Sequence, residues 1–280
     1  MHWQTRRFRL DLSRPRVMGI VNLTPDSFSD GGQFGSAAAA IAHCERLVAE
    51  GADLLDLGAE SSRPGAARID ADEEWRRLAP VLAAAVQLGV PVSVDTCKPE
   101  VMRRAIAAGA DVINDIQALQ APGAIEAVLS SEVGLCLMHM KGEPDTMANL
   151  AVYDDVVADV AAFLAQRAGV LRQAGVAADR ITLDPGYGFA KTSAQNLRLL
   201  AHQAALASLG HPLLVGWSRK RTLGEVTGRA VDGRLAASLA AALKAVQHGA
   251  HIMRVHDVAA TVDVLKVWQA VSDNAGPNQI

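Results

Sequence analysis

Aromatic residues are scarce in this sequence, with four Trp, two Tyr and five Phe among 280 residues. That supply serves a β-sandwich of cross-strand aromatic pairs poorly, whereas the abundant alanine suits many closely packed helices. Cysteine is scarcer still: Cys44, Cys97 and Cys136 lie far apart, are odd in number and form no Cys-x-x-Cys. They read as reduced, structural thiols, and a cytoplasmic location fits them. A basic excess is also missing, since 27 Lys and Arg face 30 Asp and Glu for a net charge of −3. Without a broad basic face, nucleic acid is excluded as the main partner. No apolar run approaches the roughly 18 residues of a membrane span, so no membrane partner is expected. Arg6-Arg7-Phe8 is followed by a charged stretch instead of an apolar h-region, which excludes a twin-arginine export signal. Motifs for Ser-His-Asp or Cys-His nucleophiles, and clustered Cys/His zinc ligands, are absent too.

What is present is a repeat. Short apolar runs alternate with segments of helical period, and Gly51, Gly89, Gly109, Gly134, Gly175, Gly210 and Gly249 stand where each helix hands over to the next strand. A left-handed glycine is the usual cap at such a point. The junctions are self-similar: Gly51-Ala-Asp, Gly109-Ala-Asp and Gly249-Ala-His form one set, Leu88-Gly-Val-Pro91 and Leu209-Gly-His-Pro212 another. From Val17 to His251 the seven intervals average about 33 residues, the length of a βα unit. The spacing predicts strands over Arg16–Leu23, Asp53–Gly58, Val90–Asp95, Val112–Ile116, Leu135–His139, Ile181–Asp184, Leu213–Trp217 and His251–Val255, most of them apolar throughout, as strands buried on both faces should be. The expected architecture is a single (β/α)8 TIM barrel over residues 16–272. A short N-terminal β extension over 1–15 precedes it, with Phe8, Leu10 and Leu12 alternating with polar residues, and a tail follows over 273–280. A doubly wound open sheet competes, but its first turn lacks the Gly-x-Gly-x-x-Gly fingerprint. One predicted helical stripe, Tyr153, Val156, Val157, Val160, Phe163 and Leu164, reads as core.

In such a barrel chemistry belongs to the carboxyl ends of the strands. Here those ends carry Asn22, Asp56, Asp95, Asn114 with Asp115, His139, Asp184, Ser218-Arg-Lys220, and Arg254 with His256 and Asp257. For Asp56 and Asp115 an ordinary helix N-cap is the competing explanation. Arg63, Arg254, His256 and the Ser61-Ser62 pair have the guanidinium forks and hydroxyls that suit a polyphosphate, with structural salt bridges as the alternative. Asp95, Asn114, Asp184 and Lys220 place donors and acceptors where a flat heterocycle could lie across the mouth. Ile20, Ile116 and Met138 could form its apolar slot, although Met138 is as easily plain core. The loop from Thr24 to Gly32 reads either as a lid or as a surface turn, Asp, Ser, Gly and Pro being usual turn residues.

Met18-Gly-Ile-Val-Asn-Leu-Thr-Pro-Asp-Ser-Phe-Ser-Asp-Gly-Gly32, Glu60-Ser-Ser-Arg-Pro-Gly65, Asp184-Pro-Gly-Tyr-Gly-Phe-Ala-Lys191, Ser218-Arg-Lys220 and Arg254-Val-His-Asp257 together resemble the dihydropteroate synthases over about residues 16 to 270. The resemblance implies condensation of 6-hydroxymethyl-7,8-dihydropterin pyrophosphate with 4-aminobenzoate in folate synthesis, inhibited by sulfonamides. By matching position, it implies that Asp95, Asn114, Ile116, Met138, Asp184 and Lys220 hold the pterin. Asn22, Ser62, Arg63, Arg254 and His256 would hold the pyrophosphate, and Asn22 would also face a magnesium ion. Thr24, Pro25, Phe28, Ser62, Phe189, Ser218 and Lys220 would line the aminobenzoate pocket. Asp95, Lys220, Arg254 and Asn22 are the residues it marks as catalytic. It also implies a homodimer through the last helices, where Val231 to Gln247 is rich in alanine. The departures are mild: Ser62, Tyr187, Gln117-Ala118, and Trp217, which is expected to narrow the pocket. A pterin-dependent methyltransferase on the same barrel, or a non-catalytic pterin-binding relative, are the alternative functions; neither would need all of these phosphate-side motifs.

Overall fold

A computed structural model of the chain describes residues 1–24, 32–61, 68–142 and 147–274, without the side chains of 32–36, 148 and 149. Strands β1 (His2–Gln4) and β2 (Arg9–Asp11) form an antiparallel hairpin. The main sheet then runs β3 (Arg16–Asn22), β4 (Leu54–Gly58), β5 (Val92–Asp95), β6 (Val112–Asp115), β7 (Gly134–Met138), β8 (Ile181–Asp184), β9 (Leu214–Val215) and β10 (Ile252–Val255). Its strands are parallel and neighbours in chain order, and β10 pairs with both β3 and β9. A parallel bridge between Leu183 and Leu213 joins the remaining ends, so the sheet closes as a barrel. Outside it lie α1 (Gly32–Ala49), α2 (Ala71–Ala85), α3 (Pro99–Ala107), α4 (Ala124–Leu129), α5 (Val156–Gln173), α6 (Ser193–Ala201), α7 (Ala204–Ala207), α8 (Arg221–Thr227), α9 (Leu235–Gln247) and α10 (Val258–Asn274).

All eight predicted barrel strands are present, but most are shorter than their apolar runs, because a run continues past the last ladder bond. Leu213–Trp217 shrinks furthest, to the two residues of β9. Six of the seven junction glycines have positive φ, from +73° at Gly210 to +104° at Gly109. Gly134 is the exception and corrects the expectation: it is the first residue of β7, and it is small for another reason. A Cβ there would meet the Gln4 carbonyl and the Trp3 Nε1, both at 3.1 Å.

That contact marks where the hairpin seats. Trp3 is fully buried, donates its indole N–H to the Arg180 carbonyl at 3.0 Å, and packs with Leu12, Met18, Leu54, Val112, Cys136, Leu214 and Ile252. The N-terminal extension therefore plugs the amino-terminal end of the barrel, leaving the carboxyl end for chemistry. Tyr153 also departs from expectation. It precedes α5, whose first turn is capped by Asp155, and its hydroxyl donates to the Ala190 carbonyl at 2.9 Å. The stripe itself holds, with Val156, Val160 and Leu164 buried. All three cysteines are free thiols. No helix among the described residues is long and apolar enough to cross a membrane.

Replacing Trp3 with Ala empties the plug and is expected to cost about 3–5 kcal/mol in urea unfolding. Because the plug lies opposite the polar strand ends, turnover per folded molecule should not change, and a large drop in it would contradict this account of the hairpin.

Candidate active site

The polar strand ends converge on one residue. Arg254 on β10 donates through Nε to Asp56 Oδ2 at 2.6 Å and through a terminal nitrogen to Asp95 Oδ2 at 3.1 Å. Asn114 on β6 donates to the same Asp56 oxygen at 3.3 Å. Asp56 lies in the middle of β4 and is fully inaccessible, so it is not a helix cap; its other oxygen has no protein partner. Asp115 does cap, though not a helix: it accepts from the amides of Gln117 and Leu119, at 2.7 and 2.8 Å, in the turn after β6.

This packing of acids sets their protonation. Burial, then the neighbouring Asp56 carboxylate, push Asp95 up to about 7, while Arg254 pulls the other way. Burial likewise raises Asp184, partly offset by the Gly186 amide that donates to it at 2.7 Å and by Lys220 and Arg254. Burial works against the Arg254 guanidinium, yet Asp56 and Asp95 more than compensate, and it stays charged.

On one side of Asp95, Ile116 and Met138 cluster with Met140, Met147 and Ala190, and Phe189 packs against them. This is the expected apolar slot, except that Ile20 lines the other side of the mouth. A cavity of about 810 Å³ runs outward from Asp95 and Ile116, past Cys97, Lys98 and His139. Lys220, the residue before α8, places its ammonium 4.3 Å from the centre of the Phe189 ring. Trp217 is buried against Tyr187, ring centres 4.5 Å apart.

On the other side, Asn22 and His256 line a second cavity of about 550 Å³ together with His43, Arg46, Arg219 and the first turn of α10. Burial, then Arg219 and Arg254, hold His256 down to about 4, so its ring is neutral near pH 7. Its amide donates to the Ser218 hydroxyl at 3.2 Å, and its Nδ1 lies 3.0 Å from the same oxygen. With Ser218 accepting from the amide and donating to Nδ1, the Nε2–H is left as a donor. Ser218, expected at the aminobenzoate, is thus engaged by the phosphate-side histidine. Thr24 is half-buried at the end of β3; Pro25, Phe28, Ser62 and Arg63 lie outside the described residues.

Two ionic groups were not anticipated. Lys98 joins Glu60 and Glu74, both at 2.6 Å, and Glu60 also accepts the Ile69 amide at 3.0 Å. Lys191 is buried beside His139 under the loop after β8, a pairing that only its motif membership could have hinted at. No three His, Cys, Asp or Glu side chains among the described residues gather as a metal site.

The family described as pterin binding enzyme matches residues 18–256. A dihydropteroate synthase of Neisseria meningitidis serogroup C is 50% identical over 277 residues, covering 97% of this chain and 98% of the relative. The chain belongs to the dihydropteroate synthase family. Among solved structures, Xanthomonas albilineans dihydropteroate synthase with 4-aminobenzoic acid is 55% identical, with TM-score 0.90 over 94% of this chain and 95% of that one. The same organism's enzyme in complex with 7,8-dihydropteroate is 51% identical, with TM-score 0.89 over 97% and 99%. Proteins of this family are transferases of folate synthesis, and the barrel and polar mouth described above are those of such an enzyme.

Because Asp95 gains a proton as pH falls through about 7, kcat/KM is expected to fall with it on the acid side. In Asp56→Asn the nearby negative charge is gone and Arg254 is left to Asp95, so that acid limb should move to lower pH. A pH–rate profile of the two proteins checks this, and an unmoved limb would mean that the pair is not coupled.

Proposed function

We propose that this chain joins 6-hydroxymethyl-7,8-dihydropterin pyrophosphate to 4-aminobenzoate, giving 7,8-dihydropteroate and pyrophosphate. The observation that carries the reading is Arg254, whose fork is held by Asp56 and by Asp95 on the pterin side and whose charge also bears on His256, which lines the cavity on the anion side. A substrate that is a flat heterocycle at one end and a pyrophosphate at the other fits a mouth divided in this way.

Asp95, Asn114 and Asp184 would take the amino-pyrimidinone edge, and Ile116 and Met138 the faces of the ring. Arg254 would reach the pyrophosphate with its fork. The neutral His256 would donate from Nε2, with Asn22 beside it and with Ser62 and Arg63 from the second loop. Phe189, Ser218 and Lys220 would meet the aminobenzoate with Thr24, Pro25, Phe28 and Ser62. The methylene C–O bond breaks towards pyrophosphate and the aniline nitrogen closes the new C–N bond, afterwards releasing a proton to solvent. An aniline is already a free amine at neutral pH, so no strong general base is required. Loss of pyrophosphate leads, and the carboxylates around the pterin offset the positive charge on its methylene.

The donor set at the anion cavity suits magnesium in one mode only. Asn22 offers a single neutral oxygen, no three His, Cys, Asp or Glu side chains gather there among the described residues, and Mg²⁺ typically keeps several waters and needs few protein ligands. Asn22 would hold the ion, which would neutralise charge on the leaving pyrophosphate. A homodimer is part of the same proposal, since Val226, Leu235, Val267 and Val271 leave apolar side chains exposed on α8, α9 and α10.

The assay is release of pyrophosphate from the dihydropterin substrate, with and without 4-aminobenzoate. Release that needs the amine and matches dihydropteroate formed is expected; release without product would sink the assignment. Arg254→Lys keeps a charge near Asp56 and Asp95 but loses the fork, and should weaken pyrophosphate affinity by about 1.5–3 kcal/mol. Arg254→Ala is the poorer probe, since stranding buried Asp56 costs about 3–5 kcal/mol of stability and confounds the reading. Chelation by EDTA should lower turnover in the wild type and recover with added Mg²⁺, whereas Asn22→Ala should respond much less to either.

A further inference from the structure

Lys191 is a charged side chain in an unusual place. It is almost inaccessible, and no carboxylate among the described residues bonds to it. Its ammonium instead lies 2.9 Å from the Gly186 carbonyl, 3.0 Å from the Phe189 carbonyl and 3.0 Å from His139 Nδ1. A buried ammonium without an ionic partner is unfavourable unless its hydrogen bonds serve something that an apolar side chain could not.

The loop it sits under shows what that is. Gly186, Gly188 and Ala190 have φ of +67°, +81° and +47°, three left-handed residues within five. At Gly186 the chain passes so close to the end of β7 that a Cβ would collide with the His139 carbonyl oxygen. At Gly188 the missing Cβ makes room for the Lys220 stem, whose Cδ would otherwise be 3.0 Å away. So coiled, the loop turns two backbone carbonyls towards Lys191, and one ammonium gathers both. The outer side of the same turn carries Phe189, whose ring faces the Lys220 ammonium, and the Gly186 amide, which is bonded to Asp184.

We propose that Lys191 is a positioning residue of this active site, holding the 185–190 loop in the coil that sets Phe189 against Lys220 and the Gly186 amide against Asp184. Other groups secure the rest of the loop. The Tyr153 hydroxyl holds the Ala190 carbonyl, Asn196 holds the Gly188 amide at 2.9 Å, and the Phe189 amide donates to the Gly186 carbonyl at 3.1 Å, so Lys191 adds a second bond at the Gly186 carbonyl and secures the Phe189 carbonyl. His139 suits its part, since burial and then Lys191 keep its ring neutral, down to about 2, with Nδ1 free to accept. Burial brings Lys191 down to about 7; of the groups facing it, Asp184 favours its charge, and Lys220 and Lys141 oppose it.

The inference rests on the synthase reading, and its test separates the two. Wild-type protein that forms no dihydropteroate overturns that reading, whatever Lys191 does. With wild-type activity in hand, Lys191→Met is expected to lose on the order of 100-fold in kcat/KM for 4-aminobenzoate, the scale of a small misplacement of binding groups. The loss is per folded molecule, counted by circular dichroism and active-site titration. Lys191→Cys alkylated with 2-bromoethylamine restores an ammonium of similar reach and should recover most of the aminobenzoate KM; wild type treated identically controls for Cys97. If Lys191→Met does not fold, Lys191→Gln, which keeps two N–H donors without the charge, carries the same comparison. A variant that melts earlier yet keeps kcat and both KM values per folded molecule overturns the proposal, as does a Lys191→Cys protein that is no better after aminoethylation than before it.

Discussion

The active face depends on one ion cluster. Asp56 is sealed in the barrel, and a sealed carboxylate is tolerable only beside a cation and donors. Arg254 supplies the cation, Asn114 a donor, and the remaining Arg254 nitrogen reaches Asp95. These four residues come from β10, β4, β6 and β5, so the cluster can form only when the parallel ladder holds each strand in register. Closing the barrel and assembling the mouth are therefore the same event. Arg254 is also held in place by Asp56 and Asp95, and in the function proposed above a pyrophosphate on one side and a heterocycle on the other would each exchange one protein contact for a ligand contact. Preorganisation of this kind saves the cost of ordering a long side chain at the moment of binding.

The two sides of that arginine are electrostatically different. On the pterin side, carboxylates are buried close together, and burial raises Asp95 and Asp184 towards protonation, while Arg254 works against the shift at both and the Gly186 amide, Lys220 and Lys191 at Asp184. On the anion side burial, and then the cations Arg219 and Arg254, disfavour a proton on His256, leaving a neutral ring whose tautomer Ser218 can fix. A pyrophosphate needs donors and positive potential, and a pyrimidinone edge needs acceptors. The barrel separates these demands by a single residue with contacts on one side and reach on the other.

Much of the architecture was legible because its signals are local. Six junction glycines have the backbone conformation that their position after a helix implied, and apolar runs mark strands buried on both faces. Gly134 misled because smallness has two causes: a left-handed turn, or a neighbour that comes too close, here Trp3. The three-residue β1 was not legible, since nothing in His2–Gln4 separates a plug from a frayed terminus until the barrel floor is present to receive it. Of the site, the residue types at the strand ends were readable and most converge as expected. Their pairings were not. Asp56 looks like a cap because its partner is 198 positions away, and Lys191 looks like a surface lysine closing a motif until the loop folds over it.

Backbone strain follows the same division. The positive-φ residues other than glycine are Ala118, Leu119, Ala190 and Arg219, among the described residues, and all four lie in loops that follow strands at the carboxyl end. At the other end every such position is a glycine, where the conformation is nearly free. Each left-handed alanine, leucine or arginine costs about 1–2 kcal/mol, so something must hold it. Asp115 holds the first pair through two amides, the Tyr153 hydroxyl takes the Ala190 carbonyl, and Ser238 accepts the Arg219 amide while Asp257 pairs with its guanidinium. Groups that look structural in isolation are thus concentrated where binding geometry is set. The strain is tolerated at this face because relaxing it would move the side chains that the turns carry.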